Sequence, residues 1–534
     1  MNAVETQSLI NSEDDHSECE NSTDVRLQSR SVSSNNTGSS FEEAVAATGY
    51  GAFHVRLLLL CGWAVSSDAI EILSISFVLP PATCDLQLTD QDKGWINSSV
   101  FVGMMIGGMF WGTLADIKGR KTVLLWSLTI NAVGGFTSSF AQNFWPFVSC
   151  RLISGIGVGG SLPVIFSYFC EFQPKARRGS AISMLAMFWM CGNIFAAALA
   201  WIIIPLEIHL GSPTFVYSSW RLYLALCVVP SLTSVLLFIL MPESPKYFLL
   251  KGKKTEALNV FRRMYCSNHR RKTPSDYTVL TLRSETTPVQ SSTPRAQSVF
   301  GKFRRLVSNF VKSITAIFEP PLTSRSLVML VIYFTLSFGF YGLFMWLPEL
   351  FKRMEEYGSN PCQGHKTVDL TTHNTSAAAA DPCHVSRHVF FEGFLTALSN
   401  LPGNIITILI IDRVGRKLLL SGSMIVSAGC VFLLYIVESS GAGLALTCTF
   451  SGVSTVGWNA IDVLQAEVFP THVRSTASGV LMAVGRIASI MGNVVFGQLM
   501  GLNCAVPIVI VATLLLIGGL AAIKLPNMTN RDLL

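Results

Sequence analysis

Apolar runs of about twenty residues dominate the chain and are separated by short polar segments. A helix of that length crosses a hydrocarbon core roughly 30 Å thick. The pattern predicts twelve membrane-spanning helices, with approximate bounds 55–80, 95–115, 121–141, 145–169, 180–205, 220–241, 326–348, 389–411, 417–437, 441–465, 476–500 and 503–524.

The composition agrees with an integral membrane protein. Half of the 534 residues are apolar, the mean hydropathy is +0.47, and 13% are charged, against about 25% in soluble domains. The net charge of +6 lies almost wholly in loops, so no nucleic-acid-binding face is expected. No nucleophile–base pair, zinc spacing or phosphate loop occurs in a suitable context, so we expect neither an enzyme nor a cofactor.

Basic residues indicate which side of the membrane each loop faces. The segment 246–325 holds sixteen Lys and Arg against four Asp and Glu, and the short loops 118–121, 175–178 and 413–417 are also basic. Because cytosolic loops are enriched in Lys and Arg, these loops and both termini are predicted to be cytosolic. Residues 1–50 are acidic and Ser-rich, so we expect a disordered tail, and 351–388 is predicted to be a lumenal loop.

An internal repeat relates the two halves of the chain. Two charged motifs recur at one offset of 296 residues: Asp116-x-x-Gly119-Arg120-Lys121 as Asp412-x-x-Gly415-Arg416-Lys417, and Glu171-x6-Arg178 as Glu467-x6-Arg474. The repeat indicates two homologous six-helix halves, 51–245 and 326–534, joined by a basic linker, 246–325.

These motifs resemble signatures of the major facilitator superfamily. The first reads in full Gly112-Thr-Leu-Ala-Asp116-Ile-Lys-Gly119-Arg120-Lys121, and its second copy has Ile408 in place of the first glycine. The segment Arg151-x3-Gly155-x-Gly157-x-Gly159-Gly160 resembles the fourth-helix pattern of that superfamily. Two loop segments are similar to sugar-porter and organic-ion-porter motifs: Pro242-Glu243-Ser244-Pro245-Lys246 and Glu467-x-Phe469-Pro470-Thr471-x2-Arg474. The resemblance implies an all-α integral membrane fold with twelve helices in two pseudo-symmetric halves, and a role for the paired motifs as conformational gates.

Within that superfamily, residues 50–525 resemble the synaptic vesicle glycoprotein 2 family. The resemblance rests on Cys150–Ser161, Phe166–Phe169, Met187–Met190, Ala198–Pro205, Leu401–Asn404 and Trp458–Val463. It implies a synaptic or other cytoplasmic vesicle membrane, or alternatively the plasma membrane, with membrane lipid and vesicle-trafficking proteins as expected partners. The chain departs from that family at 351–388, which lacks a large lumenal domain of pentapeptide repeats.

Two acids lie deep in the first predicted span. Asp68 follows Arg56 by 12 residues, about 18 Å along a helix, and Glu71 shares its face one turn later. An ionised carboxylate at that depth costs about 3 kcal/mol. The pair therefore either locks helices together by bonding a base, or binds a proton or cationic substrate.

Further candidates lie in the fourth, seventh, tenth and eleventh spans. By analogy with the superfamily, whose first, fourth, seventh and tenth helices line a cavity, the candidate substrate- or ion-binding residues are Asp68, Glu71, Arg151, Tyr341, Trp458, Asn459, Asp462 and Arg486. Trp458 and Asp462 share a helix face that suits a cationic or hydroxyl-bearing ligand. The alternatives are that Trp458 is an interfacial residue and that Arg151 packs helices.

The polar loops carry three further predictions. Cys362 and Cys383 share a loop in an oxidising compartment and are predicted to form a disulfide, and Asn374-Thr-Ser is a glycosylation sequon. The amphipathic stretch 251–272 either lies on the anionic inner leaflet or reflects ordinary positive-inside bias.

Together these features favour a transporter of a small solute, an organic cation or a sugar, which works by alternating access with ion coupling. The alternative is a vesicle membrane glycoprotein that does not transport and acts through protein interactions in trafficking or exocytosis.

Overall fold

A computed structural model of the chain describes residues 38–206, 208–212, 215–269, 272–283, 314–320, 322–357, 385–437, 439–470 and 473–526. In this part of the chain, twelve long helices follow the predicted apolar runs, and the twelve-helix prediction is confirmed. They are α1 Ala52–Asp85, α2 Asp90–Lys118, α3 Arg120–Ser138, α4 Phe144–Glu171, α5 Arg178–Ile203, α6 Ser219–Cys227 with Val229–Ile239, α7 Thr323–Phe344, α8 Arg387–Leu398 with Asn400–Val414, α9 Arg416–Ile436, α10 Ser440–Val468, α11 Arg474–Met500 and α12 Ala505–Ala522.

Ten of these helices are long and apolar enough to cross a membrane by themselves. The other two, α3 and α10, are more polar and contain several Ser, Thr, Asn and Gly residues. Both are extensively buried on one face, and that face carries much of their polar content, including Ser127, Asn131 and Ser138 of α3 and Ser451, Thr455 and Gln465 of α10. This is typical of helices that contribute to the interior of a membrane bundle.

The internal repeat is visible in the backbone. Gly119 ends α2 with φ of 102°, and Gly415 ends α8 with φ of 92°. Residues with a Cβ atom rarely adopt these angles, so each glycine allows a sharp turn into the following helix. Gly112 of the same motif faces open space, and sterics therefore do not require a glycine there.

The prediction of disorder up to residue 50 is wrong for its last part. Residues 1–37 lie outside the described structure, but Phe41–Ala47 forms a short helix. The Ser40 side chain accepts the Glu43 N–H, and the Glu43 side chain accepts the Ser40 N–H. This capping box satisfies donors that the first helical turn would otherwise leave free.

The linker begins with a short helix, Pro245–Leu250, and a second helix, Lys254–Asn268, packs on protein. Its apolar face is buried, and Phe41 contacts Phe261 of that face with 5.8 Å between ring centroids. The Tyr277 hydroxyl donates to the Ala44 carbonyl at 2.7 Å, and burial raises the pKa of Tyr277 above its ordinary value. The apolar face of this amphipathic stretch therefore contacts the N-terminal segment and is not free to lie on the inner leaflet.

A small hairpin and two oxidised cysteines mark the end of the bundle opposite the basic loops. The strands β1 His209–Ser212 and β2 Phe215–Ser218 pair antiparallel between α5 and α6. Cys84 at the end of α1 and Cys504 just before α12 each take part in a disulfide bond. The predicted disulfide residues Cys362 and Cys383 and the sequon residue Asn374 lie outside the described residues.

Candidate functional site

Glu71 and Arg151 form a buried ion pair that joins α1 to α4. The Arg151 Nη1 atom lies 2.6 Å from Glu71 Oε1, and neither side chain is more than 3% exposed. Arg151 also donates to the Gly135 carbonyl at 3.3 Å and to the Ser138 hydroxyl, both on α3. A guanidinium is always charged and can only donate, so it favours Glu71 as a carboxylate. These contacts support the helix-packing interpretation of Arg151.

Asp68 lies one turn before Glu71 but has neutral neighbours. It is 0% exposed. Ser161 of α4 donates to its Oδ2 atom at 2.7 Å, and Asn131 of α3 donates to its Oδ1 atom at 3.4 Å. No ion pair between described residues includes Asp68. A buried carboxylate without a counter-ion is far more costly than its neutral acid, so Asp68 is the acid on α1 that is suited to accept a proton.

Aromatic side chains of α7 and α10 form a cluster at the boundary between the halves. The ring centroid of Trp458 lies 5.9 Å from that of Tyr341 and 6.4 Å from that of Tyr333. Phe101 of α2 contacts Tyr341 at 5.0 Å, and the Arg486 guanidinium of α11 lies 6.0 Å from the Phe101 ring. The buried Trp458 Nε1 atom donates to no other described residue. The cluster therefore brings together aromatic rings and one buried N–H group that donates to no described residue.

Asp462 and Asn459 lie three residues apart on α10 but have different contacts. Asp462 is exposed, and the Tyr333 hydroxyl is 3.4 Å from its Oδ1 atom. Asn459 donates to Asn404 of α8 at 3.1 Å. Asp462 is thus open to a ligand, whereas the Asn459 amide bonds a neighbouring helix.

The predicted site residues fall into two groups. Glu71 and Arg151 contact each other, and Asp68 contacts Asn131 and Ser161, so all three lie inside the N-terminal half, among α1, α3 and α4. Tyr341, Trp458, Asp462 and Arg486 lie on α7, α10 and α11. The contacts described for the two groups do not join them, so the expected convergence of Asp68 and Arg151 with the aromatic residues is not observed in this conformation.

The first gate motif makes the same ion pair in both halves. Arg120 Nε lies 3.2 Å from Glu171 Oε1, and Arg416 Nε lies 3.3 Å from Glu467 Oε1. Arg120 also pairs with the exposed Asp116 at 3.2 Å. The side chain of the corresponding acid, Asp412, lies outside the described part of the chain.

Arg178 and Arg474, the equivalent arginines of the second repeated motif, each bond a backbone carbonyl in the loop before their own helix. Arg178 donates to the Gln173 carbonyl at 3.2 Å, and Arg474 donates to the Phe469 carbonyl at 3.3 Å. Arg178 makes one further contact, an ion pair of 2.9 Å with Glu42 of the N-terminal segment. The halves therefore share these motif contacts, and the N-terminal segment adds one to the first half.

Glu243 closes the turn between α2 and α3. Its carboxylate accepts the backbone N–H of Lys121 at 2.9 Å and that of Ser244 at 2.9 Å. An acidic group at the start of α3 interacts favourably with the positive end of that helix. The Ser244 hydroxyl donates to Glu171, so the loop after α6 is joined to the gate ion pair.

Four charged residues that the sequence did not single out join the two halves at the end opposite the basic loops. Lys93 of α2 lies 2.7 Å from Glu349, and Arg353 lies 2.8 Å from Asp90 of α2. Glu349 and Arg353 belong to a short helix, Leu347–Tyr357, that follows α7. Burial would lower the pKa of Arg353, but the Glu349 and Asp90 carboxylates outweigh it and raise the pKa above its ordinary value. We call these four residues the charge quartet.

An aromatic contact between the halves accompanies the charge quartet. The Trp201 ring of α5 lies 5.1 Å from Phe391 and 5.7 Å from Phe394 of α8, measured between centroids. The Arg387 guanidinium lies 5.4 Å from the Trp201 ring, which is a cation–π distance. These rings hold α5 against α8, while the charge quartet holds α2 against the short helix after α7.

Known proteins match most of the chain. The pattern of the family described as "Sugar (and other) transporter" matches residues 35–351 and 383–534. The chain is 30% identical to synaptic vesicle glycoprotein 2C of Rattus norvegicus, covering 92% of this chain and 81% of that protein. It is 32% identical to synaptic vesicle glycoprotein 2B of Mus musculus, covering 92% and 86%, and 32% identical to synaptic vesicle glycoprotein 2A of Homo sapiens, covering 91% and 79%.

Solved transporter structures share the fold. The partially occluded inward-open xylose transporter XylE from E. coli has a TM-score of 0.65 and 16% identity, covering 90% of this chain and 100% of that chain. A D-xylose–proton symporter has a TM-score of 0.64 at 16% identity, covering 90% and 100%. XylE is a major facilitator superfamily protein, so the predicted fold is confirmed, and the curated relatives bear out the resemblance seen in the motifs.

Proposed function

The chain belongs to the sugar (and other) transporter family, and from that premise we propose that it moves an organic cation or a sugar by alternating access, coupled to protons. The names of its relatives support a vesicle membrane as its location, and the basic loops support cytosolic termini. The observation that carries the coupling is the different surroundings of Asp68 and Glu71.

The charge count of the cluster supports a proton on Asp68. The two carboxyl groups lie one turn apart and share a single cation, Arg151, which pairs with Glu71. With both acids ionised the buried cluster carries a net negative charge, and with one proton it is neutral. Neutrality is strongly favoured inside a membrane protein. Because Asp68 is 0% exposed, gaining or losing that proton requires a conformational change.

The aromatic cluster supports the solute class. Sugars and organic cations both bind against aromatic ring faces with a few polar anchors. Trp458 and Tyr341 offer the rings, the unpartnered Trp458 Nε1 offers a donor, and the exposed Asp462 offers an acceptor and a negative charge. Phe101 of the N-terminal half and Arg486 of the C-terminal half both lie at this cluster. A solute bound here would therefore contact both halves.

The inter-half contacts support alternating access. Among the described residues, the ion pairs that join one half to the other are those of the charge quartet, at the end opposite the basic loops. At the basic end, Arg120 and Arg416 pair within their own halves. This arrangement fits a conformation closed at the opposite end, from which transport proceeds by separating the charge quartet.

Uptake into proteoliposomes tests this proposal. We would offer a panel of labelled sugars and organic cations with and without an imposed pH gradient, and compare the wild type with Asp68→Asn. The wild type should concentrate one solute against its gradient, while Asp68→Asn, which mimics the protonated acid, should only equilibrate it. If well-folded wild type takes up nothing from the panel, the non-transporting glycoprotein becomes the better hypothesis.

A further inference from the structure

We infer that Ser161 and Asn131 are positioning residues that fit either protonation state of Asp68 by turning their own polar groups. The conformational change that lets the proton reach or leave Asp68 is a separate step. The inference rests on the proposed proton coupling and identifies the groups that make it feasible. Both residues are at most 1% exposed, and each faces one oxygen of the Asp68 carboxyl group. They belong to α3 and α4, so the three groups tie three helices together.

Ser161 has one hydroxyl hydrogen and three acceptors within reach. Its Oγ atom lies 2.7 Å from Asp68 Oδ2, 3.3 Å from the Gly157 carbonyl and 3.2 Å from the Val158 carbonyl. When Asp68 is ionised, the hydrogen points to Oδ2, because a charged acceptor forms the stronger bond. When Asp68 is protonated, the hydrogen can turn to either carbonyl, and Ser161 Oγ then accepts from Asp68.

Asn131 can likewise either donate to or accept from the second carboxyl oxygen of Asp68, Oδ1. Its Nδ2 atom lies 3.4 Å from Asp68 Oδ1 and 3.2 Å from the Ser231 hydroxyl. Its Oδ1 atom is buried and accepts from no other described residue. An amide carries donors on one side and an acceptor on the other, so a turn of the amide exchanges a donor for an acceptor beside Asp68.

The contrast with Glu71 explains why the exchanged proton is assigned to Asp68. Arg151 faces Glu71 at 2.6 Å and can only donate. Protonation of Glu71 would leave the guanidinium charge buried without its partner, which is strongly unfavourable. Ser161 and Asn131 are neutral and can both donate and accept, so protonation of Asp68 leaves no comparable charge unpaired.

The proton balance of the step is simple. Water at the open side gives one proton to the Asp68 carboxylate, one O–H bond forms on Oδ2, and the Ser161 hydrogen turns to a carbonyl. On the other side of the membrane the O–H bond breaks, the proton returns to water, and the Ser161 hydrogen turns back to Oδ2. No other bond is made or broken.

Infrared titration of the full-length protein in liposomes tests the inference without a solute. The carbonyl stretch of the protonated carboxyl group, identified by its absence in Asp68→Asn, is followed against pH. Ser161→Ala removes a bond to the ionised form, so the midpoint should move upward by about one to two pH units. Asn131→Ala should move it in the same direction by less, because its bond is longer, and it serves as the second variant if Ser161→Ala does not fold.

Ser127→Ala is the matched control. Ser127 is also 0% exposed and lies on α3, and among the described residues its hydroxyl bonds only the Leu124 carbonyl of its own helix. Its removal should therefore leave the midpoint unchanged. Unshifted midpoints in folded Ser161→Ala and Asn131→Ala would overturn the inference. Uptake measurements separate a failure of this inference from a failure of the proposed function. A wild type that shows the Asp68 infrared band but no gradient-driven uptake has an acid that titrates, but it does not transport.

Discussion

Arg120 of the N-terminal half lies 3.2 Å from Glu171, and the residues 296 positions later, Arg416 and Glu467, repeat the pair at 3.3 Å. The same contact thus joins the start of the third helix to the end of the fourth in each half. An ancestral six-helix unit explains this better than chance, because the glycine turns that precede both arginines also repeat.

Loss of either gate arginine should slow transport. Arg120→Ala and Arg416→Ala each remove a charged donor from a partly buried carboxylate, which costs about 2 kcal/mol in hydrogen bonding to a charged group. We expect initial uptake rates to fall at least tenfold at equal membrane expression. The double swap Arg120→Glu with Glu171→Arg should recover part of the rate, and an inactive swap in folded protein would count against a gate role for the pair.

Separation of the charge quartet should open the end opposite the basic loops. Glu349→Gln removes the nearer of the two carboxylates that pair with the buried Lys93 and leaves Asp90 at 3.3 Å. Weakening a buried ion pair in this way is costly. The reporter of opening is Ser98→Cys. Ser98 is 0% exposed and its hydroxyl bonds the Ile490 carbonyl of the other half, so it becomes accessible when the halves separate. Labelling by a membrane-impermeant thiol reagent should accelerate at least tenfold in Glu349→Gln.

The control for that experiment is Ser127→Cys, which is buried inside the N-terminal half. Its labelling should stay slow in both backgrounds. Equal labelling of the Ser98→Cys reporter with and without Glu349→Gln would show that the charge quartet does not hold this end closed.

Trp458 should contribute to solute binding through both its ring and its N–H group. Trp458→Phe keeps a ring but removes the unpartnered donor, so we expect KM to rise about fivefold to tenfold with little change in kcat. Trp458→Ala should raise KM further, because stacking is also lost. An unchanged KM in both variants would assign Trp458 to packing at the membrane interface.

Two contacts of the N-terminal segment should differ in their effect on stability. The Glu42–Arg178 pair is 43% and 33% exposed, so Glu42→Gln should cost less than about 1 kcal/mol. Asn268 bonds the Phe53 N–H at 3.0 Å and the Thr48 and Gly49 carbonyls at 3.1 and 3.0 Å. Asn268→Ala should therefore lower the melting temperature of the purified protein more than Glu42→Gln, and the reverse order would contradict these contacts.

The cysteines of the end opposite the basic loops allow a direct chemical test. Cys84 and Cys504 are disulfide-bonded, while the Cys362–Cys383 bond remains a prediction. Peptide mapping without reduction identifies the linked pairs. A Cys362 to Cys383 link supports the prediction, and a link from either residue to Cys84 or Cys504 contradicts it.

Local pattern was enough to predict the helices and the repeated motifs. Apolar runs and paired glycine turns are properties of neighbouring residues, and the structure places them as expected. The short helix Phe41–Ala47 was missed because composition suggested disorder, although Ser40 and Glu43 are spaced as a capping box.

Partner choice was not predictable in the same way. Lys93 and Glu349 are 256 residues apart in sequence, and only the docking of the two halves brings them together. Likewise, the acids Asp68 and Glu71 share a helix face, and the sequence could not tell which of them pairs with Arg151. Asn131 did offer a signal, since a lone amide in an apolar run is typical of a buried polar contact.

Proton movement that accompanies solute entry tests the central claim most directly. A pH-sensitive dye outside proteoliposomes records proton uptake when the transported solute is added, for the wild type and Asp68→Asn at equal protein content. The account predicts a pH change outside the wild-type vesicles on solute addition and none with Asp68→Asn, although the mutant still exchanges the solute. Solute entry without proton movement in the wild type, or equal proton movement in the mutant, would contradict it.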